Sequence, residues 1–239
     1  MSALFFRALA KDAASRYGSR DRFARHFAFG KLTRDPAFRY LLEQGLIADG
    51  ARLLDLGCGQ GVLTALLLAA RDRHARGSWP DSWAAPPNPQ VMRGVDLMRR
   101  DVERARSAAG SSATFTCGDI RRADFGDVDT VVILDVMHYI DFASQEDVLK
   151  RVRDAFGHEG VLLLRVGDQS PRLRFRITEA VDRAVMALRG HRLGRFHTKP
   201  LAEWEQQLAG LGFTVESIPM SAGTPFANVL LVARYHSPS

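Results

Sequence analysis

The sequence has few cysteines and no long hydrophobic run. Cys58 and Cys117 are its two cysteines among 239 residues, and two cysteines supply neither a disulfide framework nor a metal-binding spacing. A reducing, cytoplasmic setting is the simplest interpretation. No apolar stretch reaches the roughly 20 residues that cross a membrane, and Arg7 interrupts the apolar start of the chain, so we expect no signal peptide and no transmembrane segment.

Lysine is also scarce, although the chain is basic. The formal net charge is +6, and only four of the 33 basic residues are lysines. A positive surface favours acidic partners, and arginine suits carboxylates and phosphates in particular. Nine basic and three acidic residues lie between Arg165 and Lys199. This segment is either a docking face for an anionic partner or an ordinary solvated helix.

A glycine-rich turn follows the first predicted strand. Residues 51–56 predict a buried strand, residues 62–71 predict an apolar helix, and the intervening segment is part of LLDLGCGQG at residues 53–61. Glycines allow a sharp turn and the close approach of a ligand, and the following helix N-terminus suits a carboxylate. The dinucleotide spacing G-x-G-x-x-G and the Walker Gly-Lys-Ser/Thr are both missing. The turn therefore predicts a nucleotide-like ligand of another class.

Strands and helices alternate along the rest of the chain. Further strands are predicted at residues 91–97, 113–117, 129–135, 160–166, 213–218 and 228–235. The last two have no helix between them, which predicts an antiparallel edge hairpin. The whole order predicts an α/β fold, a Rossmann-like, doubly wound and mostly parallel seven-stranded sheet with added N-terminal helices.

Three segments lie outside these alternating elements. Residues 1–47 predict an N-terminal helical cap, residues 72–90 a long loop rich in proline and tryptophan, and residues 172–198 an inserted basic segment. Long loops inside compact domains tend to be functional or disordered. We expect a single domain over residues 1–239, with both inserts in a core at residues 51–235.

The pattern Asp-x-Gly-x-Gly-x-Gly at residues 55–61 resembles motif I of the class I S-adenosylmethionine (SAM)-dependent methyltransferases. The resemblance continues in order at the ends of the next three predicted strands, where α/β sheets bind their ligands. It implies SAM as cofactor and S-adenosylhomocysteine (SAH) as product. The cofactor-binding residues that it implies are Asp55, Gly57, Cys58, Gly59, Gly61, Asp96, Leu97, Met98, Gly118, Asp119, Ile120 and Asp135.

The resemblance also implies a role for several of these residues. Asp96 accepts hydrogen bonds from both ribose hydroxyls, which suits a carboxylate with two acceptor oxygens. Leu97 and Met98 pack against the adenine. Asp119 accepts from the adenine amino group, and the next backbone N–H meets the ring. Asp135 lies at the position beside the sulfonium and the methyl group.

The motifs of several acceptor classes are missing. The fourth strand ends in Asp-Val-Met-His at residues 135–138 rather than Asn/Asp-Pro-Pro-Tyr, and no Pro-Cys pair is present. Amino methylation of DNA or protein, and methylation of cytosine C5, are therefore disfavoured. The basic segment has only Phe175 and Phe196 as interleaved aromatics, and no RNA-binding module is recognisable, so a nucleic-acid partner is also disfavoured.

The best candidate for a catalytic base is His138, because it directly follows the fourth strand and imidazole titrates near neutral pH. A histidine that simply packs at this position is an equally good interpretation. Tyr139 is the second candidate for a catalytic role. His191 and His197 belong to the inserted segment and are expected to be ordinary loop residues.

The whole chain resembles small bacterial methyltransferases encoded with aryl-polyene pigment biosynthesis genes. The stretches that carry this resemblance are DVMHYID at 135–141, LLLRVGD at 162–168 and MSAGTPFANVLLVAR at 220–234. It implies methylation of an aromatic head group in secondary metabolism, on a small molecule or on an acidic acyl carrier protein that docks on residues 165–199. An RNA methyltransferase and a SAM-binding protein without catalysis remain alternatives.

Overall fold

The computed structural model describes residues 2–167, 196–221 and 228–237. The helices of these ranges are α1 (Ser2–Ser15), α2 (Arg22–Arg34), α3 (Pro36–Glu43), α4 (Val62–Ala75), α5 (Arg99–Ala109), α6 (Phe142–Ala155) and α7 (Leu201–Gly210). The strands are β1 (Arg52–Leu56), β2 (Val91–Asp96), β3 (Thr114–Cys117), β4 (Val128–Leu134), β5 (Phe156–Gly167), β6 (Phe213–Pro219) and β7 (Asn228–His236). Short 3₁₀ turns occupy Gly110–Ser112 and Met137–Tyr139.

The seven strands form one sheet in the order β3-β2-β1-β4-β5-β7-β6. The pairs β1–β2, β2–β3 and β4–β5 are parallel, whereas β7 is antiparallel to both β5 and β6. The predicted mostly parallel sheet with an antiparallel edge hairpin is confirmed. The chain divides into two compact units, residues 1–124 and 125–239.

Several helices begin at aspartates that accept hydrogen bonds from their first turn. Asp21, Asp35 and Asp141 each accept an N–H from the start of α2, α3 and α6, at 2.9, 3.1 and 2.9 Å respectively. Such caps satisfy backbone donors that have no partner inside the helix. Pro36 fits the first position of α3 because no N–H is needed there.

In the first unit, α4 is buried along its first nine residues, 62–70. A helix that is apolar all round must be covered on more than one side, and α1 packs against it. The covering face of α1 carries small residues, Ala10 and Ala13, which are fully buried. Ion pairs join α4 to the same region: Arg73 pairs with Asp12 on α1 at 2.7 Å, and Asp72 pairs with Arg16, the residue after α1.

The predicted long loop begins later than expected, because α4 continues to Ala75. Its tryptophans pack on α1: Trp79 and Trp83 meet the Phe5 ring edge to face, with centroids 5.4 and 5.3 Å apart. Trp83 is buried. Each aromatic pair of this kind contributes about 0.5–1.5 kcal/mol beyond its buried area. The loop therefore holds the N-terminal helix in place within the first unit.

In the second unit, β5 begins earlier than the sequence predicts. It starts at Phe156 rather than at residue 160 and pairs with the whole length of β7, from Glu159 opposite His236 to Gly167 opposite Asn228. Buried apolar residues line β4 and β5, as expected for strands covered on both faces.

The predicted insert at residues 172–198 lies outside the described residues except for its last three. Among the described residues, no helix has the length and apolar character needed to cross a membrane.

Candidate functional site

The glycine-rich turn leads from β1 into α4 through left-handed backbone conformations. The φ angles of Gly57, Gly59 and Gly61 are 78°, 53° and 75°. A Cβ on Gly61 would lie 2.9 Å from the Cβ of Ala105, so this glycine allows α4 and α5 to approach closely. A Cβ on Gly59 would meet no atom within 4 Å. The space that a Cβ of residue 59 would occupy is therefore open above the turn.

Two further features of the turn are the start of α4, which has no side-chain cap, and the burial of Cys58. Helix α4 begins after Gly61 without a side-chain cap, so the N–H groups of its first turn and its positive dipole end can receive a carboxylate. Cys58 is buried beneath the turn, and burial raises the pKa of its thiol well above the ordinary value. A buried neutral thiol is inert, and Cys58 fills space that is open because residue 94 is glycine.

The Asp96 carboxylate, at the end of β2, accepts a hydrogen bond from the glycine-rich turn. Its Oδ2 accepts the Gly59 N–H at 2.8 Å, and its Oδ1 accepts the Met98 N–H at 2.8 Å. A carboxylate oxygen can accept more than one hydrogen bond, so a side chain of this type suits the paired hydroxyls of a ribose. Leu97 follows, with 62% of its surface exposed. An apolar side chain beside the Asp96 acceptor suits a nucleoside, which has an apolar base face next to ribose hydroxyls. The residues present thus fit SAM.

The end of β3 is hydrogen-bonded to the end of β2. The Gly118 N–H donates to the Asp96 carbonyl at 2.9 Å. Asp119 accepts from the Arg121 side chain and backbone, and these bonds lower the pKa of its carboxyl. The Ile120 side chain is buried. The first unit therefore brings together the predicted residues of three strand ends.

Asp55 lies at the C-terminal part of β1 and is almost completely buried. Burial, together with the negative charge of Asp96, raises the pKa of Asp55 to about 7. Burial of a carboxylate without a nearby cation disfavours its charged form. A cationic ligand at this site would favour the ionised form of Asp55. The two carboxyl groups, Asp55 and Asp96, would then both attract the cation.

We expect Asp55→Asn to stabilise the protein without cofactor at high pH. Because the folded pKa of about 7 exceeds the unfolded value, the folded state binds more protons. The free energy of unfolding therefore falls as the pH rises from about 4 to about 7 and changes no further above that. About three pKa units correspond to about 4 kcal/mol. Calorimetric melting temperatures should show the variant above the wild type at pH 8, with the gap closing toward pH 4; a pH-independent gap contradicts this.

In the second unit, the residue after β4 is held by an ion pair. Asp135 adopts a left-handed φ of 61°, which aspartate tolerates better than most residues. Its Oδ1 accepts from Arg165 Nε at 2.7 Å, and its Oδ2 accepts from a second guanidinium nitrogen. Arg165 is only 2% exposed, and a buried arginine needs a paired carboxylate. The pair fixes the backbone at the point where β4 ends.

This burial corrects the prediction that residues 165–199 form one docking face. Arg165 cannot reach a partner because its charge is buried against Asp135. Lys199 is also buried, with Nζ 3.9 Å from the centroid of the Trp204 ring and a hydrogen bond to Gln207. The prediction was wrong for these two ends because both charges serve internal contacts. The remaining basic residues of the segment lie outside the described residues.

The candidate base lies in an aromatic cluster formed by His138, Tyr139 and Phe196. Ring centroids are 4.1 Å apart for His138 and Tyr139, 5.4 Å for His138 and Phe196, and 5.7 Å for Tyr139 and Phe196. Burial lowers the pKa of His138 to about 4, although the nearby charge of Asp135 acts in the opposite direction. The imidazole is therefore neutral at physiological pH, and the same burial makes it a weaker base than a free imidazole.

Gln145 on α6 holds this cluster together. It is fully buried, and its Nε2 donates to the carbonyls of Met137, Ile140 and His197 at 2.9, 3.2 and 2.7 Å. The His197 N–H in turn donates to the His138 carbonyl at 3.0 Å. His197 thus has a structural role through its backbone. The role of Gln145 could not be predicted from the sequence, because a glutamine in an amphipathic helix carries no signal of this contact.

The sheet order, the glycine-rich turn after β1 and the acidic strand end after β2 define a SAM-dependent methyltransferase. The model of the methyltransferase domain family matches residues 24–218, and the chain belongs to this family. The protein is therefore an enzyme with SAM as cofactor and SAH as product. Among the described residues, no group of His, Cys, Asp and Glu could hold a metal ion.

Solved structures with this fold include magnesium protoporphyrin IX methyltransferase (ChlM) from Synechocystis PCC 6803 with bound SAH, at 18% identity over 90% of this chain and 88% of that one, with a TM-score of 0.57. An O-methyltransferase family protein from Burkholderia thailandensis aligns at 21% identity over 96% and 64%, with a TM-score of 0.62. The pyocyanin biosynthetic protein PhzM aligns at 17% identity over 94% and 62%, with a TM-score of 0.60. At these identities the likeness shows the fold alone. No curated protein matches the sequence significantly.

Proposed function

We propose that the enzyme methylates a small or carrier-bound aromatic acceptor in cytoplasmic secondary metabolism of the aryl-polyene type. The observation that carries the proposal is the aromatic cluster of His138, Tyr139 and Phe196, because flat rings pack favourably on aromatic side chains. The family model spans both compact units, and we propose that they act as one methyltransferase domain. Two structural neighbours bear the names of small-molecule methylation or biosynthesis proteins, ChlM and PhzM.

The cofactor residues are proposed as the resemblance to class I methyltransferases implies. The first turn of α4 would receive the methionine carboxylate, Asp96 the ribose hydroxyls and Asp119 the adenine amino group. Leu97 and Met98 would cover the adenine. The open space above Gly59 and the two carboxylates, Asp55 and Asp96, support this assignment. Asp135 would act mainly by fixing the end of β4, because Arg165 engages both its oxygens.

When bound, SAM would supply a methyl group already activated by its sulfonium, so the acceptor oxygen or aromatic carbon would gain the methyl group as the carbon–sulfur bond breaks and SAH leaves. Much of the protein's contribution is positioning. His138, neutral at physiological pH, takes the proton that the acceptor atom loses. Tyr139 and Phe196 orient the acceptor ring, and Gln145 keeps the turn of His138 in one conformation.

A product-release screen tests the proposed acceptor class. SAH formation is measured with free phenolic acids, with their carrier-bound thioesters and with RNA. We expect release of SAH with one of the two aromatic sets. Release with RNA alone, with salt-sensitive binding, would establish the RNA methyltransferase alternative instead. Cofactor binding without SAH release on any acceptor would favour the SAM-binding protein without catalysis.

A charge reversal tests whether an acidic carrier protein presents the acceptor. Arg172, Arg174 and Arg176 belong to the part of the basic segment that the structure does not describe. Their simultaneous change to Glu should raise the apparent KM for a carrier-bound substrate about tenfold, because steering by clustered charge is lost. Turnover of the free acid should change much less, and added salt should shrink the effect. Equal losses with both substrates would end the carrier proposal.

A further inference from the structure

We propose that the corner between α1 and α2, residues 16–21, is a positioning element for the cofactor turn, so that SAM binding and the order of the N-terminal helices stabilise each other. The residues that connect them are Tyr17 on the corner and Gln60 in the turn. The proposal rests on the SAM site proposed above. It concerns residues that face away from the ligand and that the resemblance to other methyltransferases does not assign.

Gln60 is a polar side chain of the glycine turn that points into the protein. It is 2% exposed, and its Nε2 donates to the Ala24 carbonyl in the first turn of α2 at 2.8 Å. Its backbone carbonyl accepts a hydrogen bond from the Tyr17 hydroxyl at 3.0 Å. Burial raises the pKa of Tyr17 above its ordinary value, which keeps the hydroxyl a donor. Gln60 is thus hydrogen-bonded both to Tyr17 in the corner and to the first turn of α2.

The same corner is also bonded to the helix that follows the ribose-binding strand end. Asp21 accepts the Ala24 N–H at 2.9 Å and pairs with Arg104 Nε on α5 at 2.7 Å. Arg104 is nearly buried and bonds Asp101 at 3.1 Å as well. Helix α5 begins immediately after Met98, whose N–H binds Asp96. The start of α2 therefore contacts the elements on both sides of the proposed nucleoside site.

The turn needs such support because its glycines are conformationally free. Gly57, Gly59 and Gly61 all have positive φ, and glycine loses more entropy than any other residue when it is fixed. If the turn is already ordered before SAM binds, binding loses less conformational entropy, and the affinity is higher. Linkage requires the reverse effect: SAM must stabilise the corner by the same factor by which the corner improves SAM affinity.

The test removes the two side-chain bonds separately and keeps the volumes. Gln60→Met retains the length of the side chain without its donor, and Tyr17→Phe deletes one oxygen. The matched control is Tyr40→Phe on α3, since among the described residues the Tyr40 hydroxyl makes no hydrogen bond. SAM affinity is measured by titration calorimetry, and backbone amide hydrogen exchange of residues 2–34 is measured with and without SAM.

We expect Gln60→Met to weaken SAM binding about tenfold and Tyr17→Phe about threefold, with Tyr40→Phe unchanged. In the wild type, SAM should slow exchange across the corner and the first turn of α2, and both variants should lose most of this protection. Each variant also loses a buried hydrogen bond, so its melting temperature without SAM should fall by about 2–8 °C. A merely structural role would lower the melting temperature to the same extent and leave SAM-dependent protection intact.

Two outcomes would overturn the proposal. One is unchanged SAM affinity in folded Gln60→Met and Tyr17→Phe. The other, which needs no variant, is exchange in residues 16–34 of the wild type that does not respond to SAM. Failure of the wild type to bind SAM would instead overturn the proposed cofactor site, so the two failures are distinguishable.

Discussion

Asp96→Ala is expected to weaken SAM binding by about ten- to a hundredfold. The carboxylate is proposed to accept the ribose hydroxyls, and hydrogen bonds to a charged group contribute about 1.5–3 kcal/mol. The same carboxylate accepts the Gly59 N–H at 2.8 Å, so the variant also loses a hydrogen bond that holds the glycine-rich turn. Titration calorimetry with SAM and SAH measures the effect.

Glu103→Ala is the matched control for the Asp96 variant. It removes an exposed carboxylate from α5 in the same unit and should leave SAM affinity within about twofold, because exposed charges contribute little. Asp96→Asn should lie between the wild type and the alanine variant, since one acceptor oxygen remains. A folded Asp96→Ala protein with wild-type affinity would show that the ribose site has been assigned wrongly.

The largest expected effect on chemistry comes from His138→Ala. Loss of the proposed base should lower turnover by about 100- to 10,000-fold, whereas SAM affinity should be unaffected because the proposed cofactor residues of the first unit are unchanged. The pKa of His138 is about 4. Above this pH the imidazole is neutral and able to accept a proton, and below it protonation removes the base. Turnover should therefore be insensitive to His138 ionisation from pH 6 to 9 and fall as the pH approaches 4.

Two control variants separate catalysis from packing at this position. Tyr139→Phe keeps the ring in the aromatic cluster and should lower turnover much less than His138→Ala. His236→Ala removes an exposed histidine at the end of β7 and should have no effect. A fall in turnover near pH 6.5 that disappears in His138→Ala would mean that the imidazole is solvated during turnover, contrary to its burial in the structure. Full turnover by His138→Ala would exclude it as the base.

The positions of most strands follow from the sequence because buried parallel strands are continuous apolar runs. β2, β3 and β4 begin or end within one residue of the predicted bounds. β5 differs because its first residues, FGHE at 156–159, carry no apolar signal; they join the strand through pairing with β4 and with the distant end of β7. Pairing between remote segments has no local sequence signature.

The proximity of the three strand ends in the first unit could likewise be predicted, since parallel strands present their carboxyl ends at one edge. The partners of individual side chains could not. The sequence places Arg165 in a run of basic residues, whereas its partner, Asp135, lies 30 residues away at the end of another strand. The bonds of Tyr17 to Gln60 and of Gln145 to His197 span 43 and 52 residues. Such contacts depend on the assembled fold.

A crystal structure of the protein with bound SAH tests the proposed cofactor site. We expect SAH at the C-terminal ends of β1, β2 and β3, with its ribose hydroxyls on Asp96, its adenine between Leu97 and the Ile120 N–H, and its carboxylate at the first turn of α4. SAH bound elsewhere, or ribose hydroxyls that do not reach Asp96, would contradict the proposed site.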